Sequence, residues 1–184
     1  MKYDRTIIAY HGCDASTAER VLAGEAFRPS ENDYDWLGSG IYFWEFGFDR
    51  ALRFAKREKQ RGRLEKAAVV GAVVQLGNCF DLMDTKFTDE LPVAFERVKR
   101  MCAAENRPLP KNAGKTPDHE LRRLDCAVLN FYLESLEKKI AYDSVRCGFV
   151  EGAPAFPGSG IHHQSHVQLA IRNPACVLGV FRPR

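Results

Sequence analysis

Three polar side chains set beside glycines or on alternating strands are the first places where this chain of 184 residues can do chemistry: His11, Tyr42 and Gln168. In Tyr10-His11-Gly12-Cys13 the glycine straight after the histidine lets a ligand come close to the backbone. In Gly38-Ser39-Gly40-Ile41-Tyr42-Phe43-Trp44 two glycines precede a short strand. Alternation sends Tyr42 and Trp44 to one face and Ile41 and Phe43 to the other. In the segment 165–173, SHVQLAIRN, the apolar face is Val167, Leu169 and Ile171, so His166, Gln168 and Arg172 point the opposite way. Taken singly, each has an ordinary structural explanation: a core histidine, turn glycines, a solvated strand face.

Other groups offer different chemistry. His162-His163-x-x-His166 puts three imidazoles in five residues, a zinc-binding density. Catalytic zinc usually adds a distant ligand or a carboxylate hydrogen-bonded behind a ligating histidine, and the surrounding Gly, Ser and Gln spell a loop, so no metal is expected. The loop 151–165 also holds Glu151, whose carboxylate, like the His162 and His163 imidazoles, is a group able to accept a proton. Glu45 is a rival acid, although alternation from Tyr42 turns it to the opposite face. Arg53, Lys56, Arg57, Lys59, Arg61, Arg63 and Lys66 form a basic run. It reads first as a solvated helix face and second as a phosphate-backbone contact surface.

The elements that must position these groups are legible in outline. A strand over 6–10 ends at His11-Gly12; Asp14 caps a helix over 15–23, with Gly24 as its stop. The polar segment 28–36 is a loop, 41–44 a strand, and 49–60 an amphipathic helix. The Val-rich run 67–76 fits a buried strand. Helices follow over 87–104 and 118–139, broken by Pro108, Pro110 and Gly114, with Thr116-Pro117 as the second helix's start signal. Its expected buried stripe is Leu121, Leu124, Val128, Phe131 and Leu136. Strands over 144–150, 167–171 and 177–181 complete the chain. Strands at both ends around a helical middle predict an α+β fold.

In this order, His11-Gly12 and the GSGIYF segment resemble the ADP-ribosyltransferase superfamily, in its diphtheria-toxin-like and poly(ADP-ribose)-polymerase-like branch. That branch carries His-Gly on its first core strand, Gly-x-Gly-Ile-Tyr-Phe on the next, and a glutamate opening a late strand. The resemblance covers about 1–60 and 140–184. It departs at the third position, where Gln168 replaces the acid. It implies one catalytic domain over 1–184 with split antiparallel sheets, flanking helices and a helical insertion at 84–139. It also implies an enzyme, a mono-ADP-ribosyltransferase that takes NAD as co-substrate and releases nicotinamide.

Under that resemblance the catalytic residues are His11, Tyr42 and Gln168, and NAD is held by His11, Gly12, Arg28, Trp36, Gly40 and Tyr42. His11 would bond the adenosine-side ribose, the Gly12 backbone the nicotinamide amide, and Tyr42 would stack on the cationic ring. The loop 28–37 would be a flap, with Arg28 near the pyrophosphate and Tyr34 or Trp36 as aromatic cover. Gln168 can hold a ribose hydroxyl but brings no negative charge to a developing oxocarbenium ion, and it leaves no carboxylate there to support chain elongation. The acceptor is a macromolecule, protein or nucleic acid. A lone catalytic domain suits a toxin or bacterial defence effector, whose partner would be an antitoxin or regulator. Two alternatives stand beside this: a non-catalytic module binding NAD or ADP-ribose, and an enzyme like the RNA 2′-phosphotransferases.

Composition narrows the field without choosing within it. The 27 Lys+Arg against 24 Asp+Glu give a net charge of +3, too mild to decide on nucleic acid, and 45% hydrophobic content sustains one core. No apolar run reaches the roughly 18 residues of a membrane span, and no secretion signal is evident at the N-terminus, so a cytoplasmic protein is expected. The six cysteines are scattered and read as reduced. GxGxxG and GxxxxGK[ST] are both absent, which weakens Rossmann and P-loop readings.

Overall fold

The computed structural model describes residues 3–114, 120–137 and 139–184. Its framework is a seven-stranded sheet built from β1 (Tyr3–Asp14), β2 (Ile41–Glu45), β3 (Ala67–Gly77), β4 (Cys79–Asp81), β7 (Ser144–Phe149), β8 (His166–Ile171) and β9 (Val177–Phe181), in the order β4-β7-β8-β2-β1-β3-β9. Every neighbouring pair is antiparallel except β4 with β7. The helices are α1 (Ala15–Leu22), α2 (Phe48–Gln60), α3 (Thr85–Thr88), α4 (Leu91–Ala104) and α5 (Arg123–Leu136). The α+β expectation therefore holds. The split into separate sheets takes another form, a single sheet with one short ladder inside it.

That ladder joins β1 to β2. The β1–β3 register runs from Thr6–Gln75 to Asp14–Ala67, whereas β1 meets β2 only at Ala9–Glu45 and Tyr10–Trp44. Beyond Tyr10 the two strands diverge, β1 continuing beside β3 and β2 beside β8.

Alternation makes two cores, one on each face. On the first, Ile7, Ala9, Ile41, Phe43, Val70, Ala72, Leu169 and Ile171 pack under Ala18 and Val21 of α1 and under Phe27. On the second, Phe80, Val145, Phe149 and Ala170 pack under Leu37 and under Leu129 and Leu133 of α5. Helix α2 covers the β1 end of this second face. A Cβ on Gly12 would collide with the Ala51 carbonyl, so the glycine is what lets the helix seat.

The middle departs from expectation in detail. The helix expected over 87–104 is two helices, α3 and α4, with Pro92 in the first turn of α4, where its missing N–H costs nothing. Helix α5 starts at Arg123 rather than 118, because Leu121–Arg122 is a short strand (β6) paired with Asn112–Ala113 (β5). The Asn112 side chain then accepts from Leu124 N at 2.9 Å and caps the helix from a distance. Thr116 and Pro117 lie outside the described residues. Of the expected stripe only Val128 is fully buried, the others being Cys126, Leu129 and Leu133. The reason is that α5 packs against both the sheet and α4, which widens and turns its buried face.

Candidate functional site

The three strands that carry His11, Tyr42 and Gln168 are nearest neighbours in the sheet, β1, β2 and β8. The seam between the first two is the opening. Phe46 N donates to Ile8 O at 3.0 Å, so even-numbered residues of β1 turn their backbone groups toward β2. Continuing that register, Gly12 would face Tyr42. The ladder stops before it gets there, which leaves the Gly12 N–H and C=O directed into the gap.

His11 bridges the gap with its side chain. Its Nδ1 lies 2.7 Å from the Tyr42 carbonyl. A carbonyl only accepts, so Nδ1 carries the proton and Nε2 is left as an acceptor. The ring sits edge-on to Phe27 (5.0 Å) and close to Phe43 (5.7 Å). Burial pulls its pKa below the ordinary histidine value, against the raising effect of the hydrogen bond to Tyr42. The imidazole is therefore neutral at pH 7.

Tyr42 lies on the other face. Its hydroxyl donates to Gly38 O at 2.6 Å and accepts from Leu37 N at 2.8 Å. Burial pushes the phenol pKa well up, so the group stays a neutral clamp on the 37–40 turn. Gly40 completes the clamp, exchanging backbone bonds with Ser30 (2.8 and 3.0 Å). A Cβ there would press on Ile171 O at 3.0 Å. The segment expected as a flap is thus fastened at Ser30, Leu37 and Ser39, the last donating to Asn130 at 2.9 Å. Arg28 is 85% exposed and 3.7 Å from Glu25. Trp36 donates to Glu120 O at 3.1 Å, and its ring lies 4.8 Å from Phe149 with the Arg122 guanidinium over it.

Gln168 faces Trp44 on β2 and Cys147 on β7. It is buried, and its Oε1 has no hydrogen-bond partner among the described residues. The same holds for three atoms around it: Trp44 Nε1, His166 Nε2 and Arg50 Nε. The Arg50 guanidinium stands 5.5 Å from the Trp44 ring and binds Glu151 at 2.5 Å. His166 is 6.3 Å from Trp44 and 5.6 Å from Phe149, and donates from Nδ1 to Gln164 O at 2.7 Å. Each orphaned buried group costs about 1–3 kcal/mol. A cluster of two donors and two acceptors left unmet is what a polar ligand would satisfy.

The structure therefore brings Tyr42 and Gln168 to one face, with His11 reaching their strand from the other. Sequence reasoning missed Trp44 and Arg50. The parity of Trp44 with Tyr42 was a usable signal, while nothing local marks Arg50. Glu45, on the opposite face, is committed to Arg146 at 2.6 Å and Arg5 at 3.2 Å. In the basic run, Arg57, Arg61 and Arg63 are paired with Glu58 or Glu120, which blunts that surface. His162 Nδ1 bonds Gly152 O at 2.7 Å. A surface cavity of about 240 Å³ is lined by Asp33, Arg123 and Asn130, the last of which accepts from Ser39 N of the 37–40 turn. Among the described residues no helix is long and apolar enough to cross a membrane.

No protein-family model matches the chain, and no solved structure matches it. It is similar to an uncharacterized protein of Methanocaldococcus jannaschii, 39% identical over 85 residues. The match covers 45% of this chain and 39% of that protein's length, so the chain spans well under half of the curated relative it matches.

Proposed function

We propose that the protein transfers ADP-ribose from NAD to a macromolecular acceptor and releases nicotinamide. The observation that carries this is the seam. At one point of the sheet the strand pairing stops, and a backbone N–H and C=O at Gly12 and a neutral imidazole acceptor at His11 stand beside the Tyr42 strand. Those groups match what a donor with a carboxamide at one end and ribose hydroxyls at the other requires. Breaking the glycosidic bond asks chiefly for orientation and exclusion of water, and the dry surroundings of Gln168 supply the second.

The fastening of Trp36 and the exposure of Arg28 leave the donor's grip to the seam rather than to a closing flap. One observation favours the non-catalytic alternative. Gln168 offers a carboxamide where the resemblance calls for a carboxylate, which suits a module that binds NAD or ADP-ribose without turning it over.

The test is to incubate purified protein with labelled NAD and a cell lysate, with His11→Ala and Tyr42→Ala as controls, and then digest with protease or nuclease. Label and nicotinamide release that require both residues support the transferase, and the digestion that removes label gives the acceptor class. NAD binding without release supports the module. Neither binding nor release sinks both readings.

A further inference from the structure

We propose that the acceptor is a nucleic acid, held by its phosphodiester backbone on the outward face of α2 through Arg53, Lys56, Lys59 and Arg63. The inference rests on the transferase reading and names the acceptor class which that reading leaves open.

Charge is unevenly spread along the chain. Residues 53–66 carry seven Lys or Arg against Glu58 and Glu65, while the whole chain is only +3, so everything outside that stretch is net acidic. Folding sharpens the contrast by turning one of the two acids inward. Glu58 is 7% exposed, and Arg57, Arg61 and Arg63 reach its carboxylate at 3.7, 3.3 and 2.8 Å. Arg53, Lys56 and Lys59 are exposed and meet no carboxylate among the described residues. Arg63 is paired yet 63% exposed, and a guanidinium with five N–H donors keeps several for a phosphate after one carboxylate is met.

The make-up of this face selects the partner. From Asp49 to Lys66 every exposed side chain is polar or charged, and no large hydrophobic residue between 47 and 82 is exposed. A protein interface is centred on apolar or aromatic anchors. Backbone binding of nucleic acid needs only clustered Lys and Arg. The other basic stretch, Arg97, Lys99 and Arg100 on α4, is a poorer candidate. There Lys99 lies 3.6 Å from the Glu96 carboxylate, Arg100 Nε donates to Glu96 O at 3.2 Å, and exposed Val93 and Met101 share the helix.

Placement ties the face to the seam. The inward side of α2 carries Arg50, 5.5 Å from the Trp44 ring, and Phe54, 5.1 Å from the same ring. Phe54 also lies against Gly12, where an added Cβ would stand 3.3 Å from its ring. Arg53 and Lys56 flank Phe54 on the adjoining strip of the helix. A strand laid along them passes within one helix diameter, about 10–12 Å, of the Gly12 backbone.

The test measures binding without NAD and labelling with it. Anisotropy of a fluorescent single-stranded RNA of about 15 nucleotides, long enough for such a site, is followed from about 50 to about 200 mM salt. Four phosphate contacts predict a slope of log affinity against log salt of about −2.8, at about 0.7 per contact. Arg53→Gln with Lys56→Gln removes two contacts and should bring the slope to about −1.4, weakening unrelated sequences alike. Nucleic-acid labelling should fall with it, while NAD binding stays as in the wild type. Lys99→Gln with Arg100→Gln removes the same charge from α4 and should leave the slope at about −2.8. All four substituted side chains are exposed, so both variants are expected to fold.

A slope near zero, a slope unmoved by the α2 pair, or an equal loss in the α4 pair would each overturn the assignment. So would lysate label that resists nuclease and disappears with protease, which would make the acceptor a protein. A wild type that binds NAD and releases no nicotinamide fails the transferase reading itself, a result distinct from any of these.

Discussion

The His11 imidazole donates to the Tyr42 carbonyl at 2.7 Å, at the register position where the Gly12 N–H would have donated had the two strands stayed paired. A side chain has replaced a backbone bond. The exchange keeps the carbonyl satisfied while freeing the Gly12 backbone, and it ties the first two motif strands together across the gap that separates them. A binding seam can persist in a sheet only if the groups it exposes are partly compensated in this way.

Replacing His11 with alanine should therefore do two separable things. It leaves the Tyr42 carbonyl unpaired in a half-buried place, at a cost of about 1–3 kcal/mol, and it removes the acceptor proposed for the donor's ribose. Thermal melting reads the first and NAD titration the second. His11→Asn, which can still donate to the carbonyl, should recover much of the melting temperature without recovering NAD binding. Full recovery of both would show that the ring's second nitrogen has no role.

Gly12→Ala tests the seat of α2. The added methyl meets the Ala51 carbonyl, a backbone atom that cannot swing aside. The helix must shift, at a cost of about 1–3 kcal/mol typical of overpacking. Because Arg50 precedes Ala51 on that helix, the Arg50–Glu151 contact should loosen too. A crystal structure of the variant with α2 unmoved would contradict this.

Gln168→Glu restores an acid beside the proposed reaction centre. Preorganised charge of that sort is worth about 10²–10³ in rate, so nicotinamide release should rise by roughly that order. The melting temperature should fall, since a carboxylate is then buried among aromatic rings with Trp44 Nε1 as a nearby donor. A variant that is folded and no faster than wild type would place the anomeric carbon away from residue 168.

Much of this arrangement was legible beforehand because it depends on local periodicity. The parity of Tyr42 with Trp44, and of His166 with Gln168, follows from strand alternation alone and is as the structure has it. So are the strands at both ends and Asp14 as the cap of α1, where Ser16 N donates to its carboxylate at 2.9 Å. What was not legible depends on contacts distant in sequence. Arg50 acquires its meaning from Glu151, 101 residues away. The late start of α5 depends on Asn112 and on a two-residue strand pair. Trp36 was expected over the donor and is instead claimed by Phe149 and Arg122, a packing choice that no window around residue 36 encodes.

Stability should fall with acid in two stages, and the sign differs in origin for each. His11 and His166 have folded pKa values lowered chiefly by burial, so the unfolded chain binds protons more readily. Their contribution is whole above the unfolded value of about 6.5 and is lost as pH drops from there toward the folded values. Asp14 acts at lower pH. The Lys66, Ser16 and Glu65 amides all donate to its carboxylate and hold its pKa well below the usual carboxylate range, Lys66 most strongly. That contribution is present above about 3.9 and disappears as pH falls further. Melting temperatures measured from pH 8 to pH 3 should show a first decline beginning near 6.5 and a second near 4. His11→Asn with His166→Gln should flatten the first alone, and Asp14→Asn the second alone. A first decline that survives the double substitution would mean that other groups titrate in that window and that these two imidazoles are not the buried neutral ones.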